Sequence, residues 1–184
     1  MKNLRGFSLM EVVIVIAISV ILILAVTEIY VTYSNSYLDQ NAAINTSSSA
    51  AAFLNEFNNI GLQADAIVSS RTVSGTAYTT GSSTVIFELP AINSSGDVLS
   101  NTYDYAIFYS SSTGAYRLLD TNGSSARSSG TKLFSSFLSN LTFTYDNASP
   151  TSASGVTADI TTQSTVKQTT YNSHLKQQVY LRNK

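Results

Sequence analysis

A chain of 184 residues with 10 basic and 11 acidic side chains has room for one long helix and one domain with a single core; its near-neutral balance excludes a broad electropositive surface for DNA or anionic lipid. Cysteine is absent, which excludes disulfide staples and thiolate chemistry. The one histidine, His174, excludes a histidine-pair metal or catalytic centre.

The first element is the stretch GFSLMEVVIVIAISVILILAV, which begins at Gly6 and follows a short leader carrying Lys2 and Arg5. From Val12 to Val26 only Ser19 interrupts the apolar run. A helix from Phe7 to Ile29 rises about 34 Å, enough to cross a bilayer. Lys2 and Arg5 place the leader on the cytoplasmic side and the C-terminal bulk outside. The order of features is unusual. A secretory signal peptide puts its small-residue cleavage site after the apolar core, whereas Gly6 stands before it. A cut after Gly6 leaves the greasy helix on the mature chain, and loss of Lys2 and Arg5 leaves that chain mildly acidic. An ordinary signal-peptidase site, Ala25-x-Thr27, follows the run; cleavage there predicts a secreted protein starting near Glu28.

Glu11 is the second unusual feature, an ionisable group among Leu9, Met10, Val12, Val13 and Ile14. Burying it in lipid costs on the order of 2 to 3 kcal/mol, so it needs a cationic partner or a polar place in an assembly. Cleavage after Gly6 creates such a partner, because the new α-amine of Phe7, with a reference pKa of roughly 8, is largely protonated near neutral pH. Glu11 lies about 6 Å of helix rise from it. The helix dipole also favours a carboxylate in the first turn. A neighbouring subunit shifted by about one turn would bring its own Phe7 amine level with Glu11, so the pair sets register.

These residues resemble the class III signal of type IV pilins and type II secretion pseudopilins. The resemblance covers about the first 30 residues. It implies that a prepilin peptidase cuts between Gly6 and Phe7 and methylates the Phe7 amine, and that Glu11 guides assembly. It also implies other pilin subunits, the inner-membrane assembly platform and, before assembly, the lipid bilayer as partners. The membrane-held subunit would pass into a cell-surface filament. Many pilins close a C-terminal loop with a disulfide, which this cysteine-free chain cannot do. Where many major pilins carry helix-loosening Gly and Pro, this chain has Val20 and Glu28, and no proline precedes Pro90, so the first helix is expected unbroken.

Beyond the membrane segment, Tyr30, Tyr33, Tyr37, Leu38, Ile44, Phe53, Leu54, Phe57 and Ile60 recur mainly at three- and four-residue steps, the spacing of one helical face. A single helix from Phe7 to Ile60 is expected, weakest at Thr46–Ser49, where Ser and Thr compete for backbone hydrogen bonds. A Gly/Ser/Thr-rich connection at 69–83 follows. The period then falls to two: Thr84–Leu89, Tyr103–Ser110, Ala115–Leu119, Leu141–Tyr145, Val156–Thr162 and Gln177–Arg182 read as strands. Ser95-Gly96-Asp97, Thr113-Gly114, Asn122-Gly123 and Pro150–Gly155 mark turns, with Asp97 and Asp146 as turn residues. Thr131–Phe137 reads as a helical turn or an extra edge strand.

The expected class is α+β: a helix whose first half is transmembrane and whose outer half packs on an antiparallel sheet, to which the resemblance adds the pilin lollipop. The segments are a leader at 1–6, the membrane and assembly helix at 7–29, its outer amphipathic half at 30–62, and the β-rich head at 63–184. The order of strands after the helix looks like that of W-type minor pilins and J-type minor pseudopilins, which act near filament tips. A major pilin is the rival reading.

No catalytic constellation, cofactor site or metal site is visible, and an enzyme is not expected. His174 reads as a surface residue. Asp120-Thr121-Asn122-Gly123-Ser124-Ser125 is oxygen-rich but lacks the closing glutamate of a calcium loop, and reads as a turn. Arg117, Arg127 and Lys132 form the one basic cluster in sequence, the candidate contact for DNA. Eleven tyrosines and no tryptophan favour sheet packing and subunit interfaces over an adhesive surface. Asn122 and Asn147 open Asn-x-Ser glycan acceptor sequences.

Overall fold

The structure is a computed structural model that describes residues 8–112 and 114–182. One helix, α1, runs from Leu9 to Gly61, 53 residues and so about 80 Å of rise. The strands are β1 (Ala66–Ile67), β2 (Ser70–Val73), β3 (Thr76–Thr79), β4 (Thr84–Ile92), β5 (Val98–Ser111), β6 (Gly114–Asp120), β7 (Gly130–Ser135), β8 (Leu138–Tyr145), β9 (Gly155–Val166) and β10 (Thr169–Tyr180). A short 3-10 turn, Pro150–Ser152, lies between β8 and β9. The chain divides into two compact units, Met1–Asn41 and Ala42–Lys184.

The described part of the first unit is helix alone. From Leu9 to Val31 its large apolar residues are nearly continuous in sequence, so they surround the axis, and all are exposed, from Val12 and Val31 at 46% to Leu9 at 86%. The helix is long and apolar enough to cross a membrane. The hydroxyls of Ser19 and Thr27, in and just after the apolar run, make no demand on the surroundings: Ser19 Oγ donates to the Val15 carbonyl and Thr27 Oγ1 to the Ile23 carbonyl, each at 2.8 Å.

The second unit is built on the last part of α1. Ala42, Thr46, Ala50, Phe53, Leu54, Phe57, Ile60 and Gly61 form its buried stripe. The apolar face expected from Tyr30 onward is therefore not one surface. Tyr30, Tyr33, Tyr37 and Leu38 are exposed, and so is Ile44. At 100° per residue Ile44 lies about 200° from Ala42 and again from Thr46, on the opposite side of the helix. The small residues Ala42, Thr46 and Ala50 take the packing surface, which their weak hydrophobicity hid. The helix does not break at Thr46–Ser49. Thr46 Oγ1 returns to the carbonyls of Ala42 and Ala43, and Thr162 Oγ1 on β9 donates to the Thr46 carbonyl at 2.8 Å.

The antiparallel pairing is divided among three sheets: five strands in the order β1-β4-β5-β6-β7, three in the order β10-β9-β8, and the hairpin β2-β3. The two larger sheets meet on α1 around Phe57, whose ring lies 5.5 to 5.8 Å from those of Phe87, Phe108 and Phe143. Phe53 adds an edge contact to Phe108 at 5.5 Å. Each such side chain is fully or almost fully buried, worth about 1.5 to 3 kcal/mol of transfer free energy. Leu141, Phe143, Val156, Ala158 and Ile160 all point into this core, while Thr142, Thr144, Thr157 and Asp159 face outward, so the expected alternation is observed.

Elsewhere the structure adds strands, resolves one open alternative and moves the last strand. The connection at 69–83 folds as the hairpin β2–β3, turned by Ser74 and Gly75, both at positive φ (49° and 83°). Thr131–Phe137 is an edge strand, β7, through Ser135. The last strand covers Thr169–Tyr180 and not Gln177–Arg182. Leu181 and Arg182 leave the ladder, and their N–H groups bond the carbonyls of Ser154 and Ala64. Residues 169–176 were unreadable as a strand because β10 is an edge and carries mostly polar side chains.

The face of the five-stranded sheet turned away from α1 is also covered. Ile86 and Ile107, register partners on β4 and β5, are fully buried there. Beside them Tyr109 lies 5.2 Å from Tyr78 of β3 and stacks on Tyr116 at 5.3 Å. Arg71 of β2 sits 4.1 Å above the Tyr105 ring and bridges to Asp120 at 2.8 Å. Burial, then the neighbouring Tyr78 hydroxyl, pushes the Tyr109 pKa up to about 12. Burial and Glu88 likewise raise that of Tyr105, which donates to Glu88 at 3.1 Å.

Candidate functional site

Lys2, Arg5, Gly6 and Phe7 lie outside the described residues, so Glu11 is the predicted processing or assembly residue whose geometry is described. It sits in the first turn of α1, exposed, with Leu9 and Met10 before it and Val12 and Val13 after it. Ser8, immediately before the helix, forms a reciprocal capping pair with it. The Ser8 N–H donates to Glu11 Oε2 at 2.8 Å, and the Glu11 N–H donates to Ser8 Oγ at 3.3 Å. Two helix-start donors are thereby satisfied, and the carboxylate stands at the positive end of the helix dipole. Ser8-Leu9-Met10-Glu11 carries the S-x-x-E capping signature in full, a role for Ser8 beyond its place in the processing signal.

This end of the chain is electrostatically sparse. In the described residues from Ser8 to Asn41 the charged side chains are Glu11, Glu28 and Asp39, all acidic. No cation for Glu11 is supplied by the described residues of this unit.

The other sequence-predicted groups are not brought together into a site. Arg117, Arg127 and Lys132 do not make a basic patch. Arg117 and Lys132 are register partners on β6 and β7, and both face Glu56 of α1, at 2.5 Å and 4.0 Å. Lys132 also lies 4.6 Å from the Phe134 ring. Arg127 is held elsewhere by the buried Asp104 at 2.9 Å. Each of the three cations thus has an acid of the fold within 4.0 Å, Lys132 at the longest distance and with its side chain 54% exposed.

His174 is a surface residue on β10, its Nε2 2.7 Å from Asp159 Oδ1. The Asp120 loop is a turn: Asp120 bonds Arg71, Thr121 pairs with Ser129, and the Asn122 N–H donates to Asp104. Among the described residues no group of three or more His, Cys, Asp or Glu is placed to hold a metal ion. Asp97 and Asp146 serve turns, Asp97 through Asn93 and Asp146 by accepting the Ser154 N–H.

Asp104, unmarked in the sequence, is the most elaborately bonded acid in the second unit. It accepts from the Asn122 N–H, the Ser125 hydroxyl and the Arg127 guanidinium. Arg127 also donates to the Pro90 carbonyl and to Gln63. This hub fixes the long loop between β6 and β7.

Residues 1–27 match the family model described as the prokaryotic N-terminal methylation motif, the signature of type IV pilin and pseudopilin signals. Gly6, Phe7, Ser8 and Glu11 fall within that span. Neither a curated protein nor a solved structure matches the chain.

Proposed function

We propose that this type IV pilin- or pseudopilin-like protein is a minor pilin, a structural subunit cleaved between Gly6 and Phe7, methylated on the Phe7 amine and assembled through α1. The methylation motif at residues 1–27 supports this reading, together with a helix that carries its apolar side chains all round and its first-turn acid at the very start. Such a helix is equally at home in lipid and among like helices, since a bundle of apolar neighbours replaces acyl chains at little cost.

Glu11 supplies what greasy packing lacks, a preferred register. In the membrane-held chain its carboxylate is engaged by the Ser8 N–H. In the filament it takes the Phe7 ammonium of a neighbour, and a subunit out of step leaves both charges unpaired in an apolar surrounding, which disfavours the wrong register. The head stays on the outer side, and the protein itself performs no chemistry. Its partners are the prepilin peptidase, the inner-membrane assembly platform and the other pilins.

Mass spectrometry of the mature N-terminus, together with the abundance of the chain in sheared filaments, tests this reading. A methylated Phe7 terminus at low filament abundance is expected. A mature start near Glu28 would remove the filament role, and filaments composed mostly of this chain would make it a major pilin.

A further inference from the structure

Three Asn-x-Ser segments of the second unit adopt the same local fold. The Ser95, Ser124 and Ser149 N–H groups donate to the side-chain carbonyls of Asn93, Asn122 and Asn147, at 2.9, 3.0 and 2.9 Å. In each, the hydrogen bond closes a turn around the intervening residue and, by drawing on the side-chain carbonyl oxygen, polarises the asparagine Cγ. The three differ in the middle residue: Ser94, Gly123 and Ala148.

That difference decides which Cγ is open to attack. At Gly123 no atom lies within 4 Å of where a Cβ would stand, and the residue is exposed. Its peptide nitrogen thus has no side chain of its own beside it, and the fold leaves the space on that side open. Ser94 and Ala148 each carry a Cβ beside the nitrogen. The Asn122 amide nitrogen makes no hydrogen bond among the described residues, so nothing retains it as a leaving group.

We infer that Asn122 is a site of spontaneous deamidation, the one that ages fastest among these three turns. The Gly123 nitrogen, losing its proton to base, attacks the Asn122 Cγ. The side-chain nitrogen departs with a proton as ammonia, and water opens the cyclic imide at either carbonyl. The product is aspartate or isoaspartate at position 122.

The location gives the change a consequence. The Asn122 N–H and the Ser125 hydroxyl both end on the buried carboxylate of Asp104. Isoaspartate inserts a methylene into the main chain between those two anchors, and either product adds a negative charge within reach of that carboxylate. The loop then releases Arg127, whose side chain is 16% exposed in the intact fold.

The test uses the full chain in detergent, aged at two alkaline pH values and mapped by peptide mass spectrometry. Conversion at Asn122 is expected to outpace that at Asn93 and Asn147 several-fold, to accelerate with pH, and to yield both products. Gly123→Ala, which fits without displacing any neighbour, should reduce it to the level of Asn147. Aged protein should also be nicked by trypsin at Arg127 faster than fresh protein. Equal conversion at the three asparagines, or an unchanged rate in Gly123→Ala, would overturn the site. Unchanged tryptic nicking at Arg127 in fully converted protein would overturn the link to the Asp104 hub.

Discussion

Asp104 holds Arg127 across 2.9 Å, with the carboxylate fully buried and the Arg127 side chain 16% exposed. A buried ion pair contributes little net stability against an apolar replacement of both partners, but removal of one partner strands the other. Asp104→Ala leaves Arg127 facing only Pro90 and Gln63, and leaves the Asn122 N–H and Ser125 hydroxyl without their acceptor. A loss of about 3 to 5 kcal/mol is expected in urea titrations of the detergent-solubilised chain. The paired change Asp104→Leu with Arg127→Met should cost less than Asp104→Ala alone.

Gly61 ends α1 against Val179 of β10, and a Cβ there would lie 2.7 and 2.8 Å from the two Val179 methyls. Alanine gains at most about 1 kcal/mol of helix propensity over glycine, whereas overpacking a sealed contact costs about 1 to 3 kcal/mol. The clash should win, because Val179 is 2% exposed and has nowhere to move. Gly61→Ala should lower Tm, and adding Val179→Ala should recover part of the loss. Strict additivity in that double-mutant cycle would refute the steric account.

Alkaline pH should weaken the second unit through its tyrosines. The Tyr109 hydroxyl titrates near 12 in the folded chain and near 10 when unfolded. The group favours the folded state in full below about pH 10, and that contribution fades as pH rises toward 12, because the unfolded chain releases its proton first. Tyr145 shifts the same way by burial, its hydroxyl donating to the Gly81 carbonyl. Denaturation midpoints should therefore fall across this window, and Tyr109→Phe should flatten the fall. An identical slope in that variant would exclude Tyr109 as its source.

Glu11→Gln keeps a side chain that accepts from the Ser8 N–H but discards the charge. Membrane insertion should persist while filament yield drops. Ser8→Ala loses the cap, a matter of about 1 kcal/mol at the helix start, and should affect yield far less. Sheared-filament assays on both variants distinguish charge from capping, and normal filaments from Glu11→Gln would dismiss the register role.

The helix, the α+β class and the core strands were legible because their signals are local and redundant. Phe53, Phe57, Phe87, Phe108 and Phe143 announce burial at the right period. Other features depend on tertiary neighbours and leave weaker marks. Ala42, Thr46 and Ala50 were invisible as a packing face because small residues bury little area while letting the sheet come close. Residues 169–176 were invisible as strand because an edge facing water needs no alternation. Asp104 looks like any acid in a strand until Arg127 arrives from a loop, and Arg117 and Lys132 looked like a patch until Glu56 of the helix met both. Division of the pairing into separate sheets is a matter of which edges meet, and no single strand encodes it. The Ser8 cap, by contrast, is local and stands in the sequence as S-x-x-E.

The closure of β10 on Gly61 carries a lesson about timing. The helix end and the final strand are near opposite ends of the second unit in sequence, yet Val179 seals the one against the other and the Arg182 N–H reaches the Ala64 carbonyl beside it. Gly61 is sealed by a strand made long after it, so the end of α1 has no cover on this side until β10 has been delivered. Contacts between parts so distant in sequence close late in folding, because the loop between them must be ordered first.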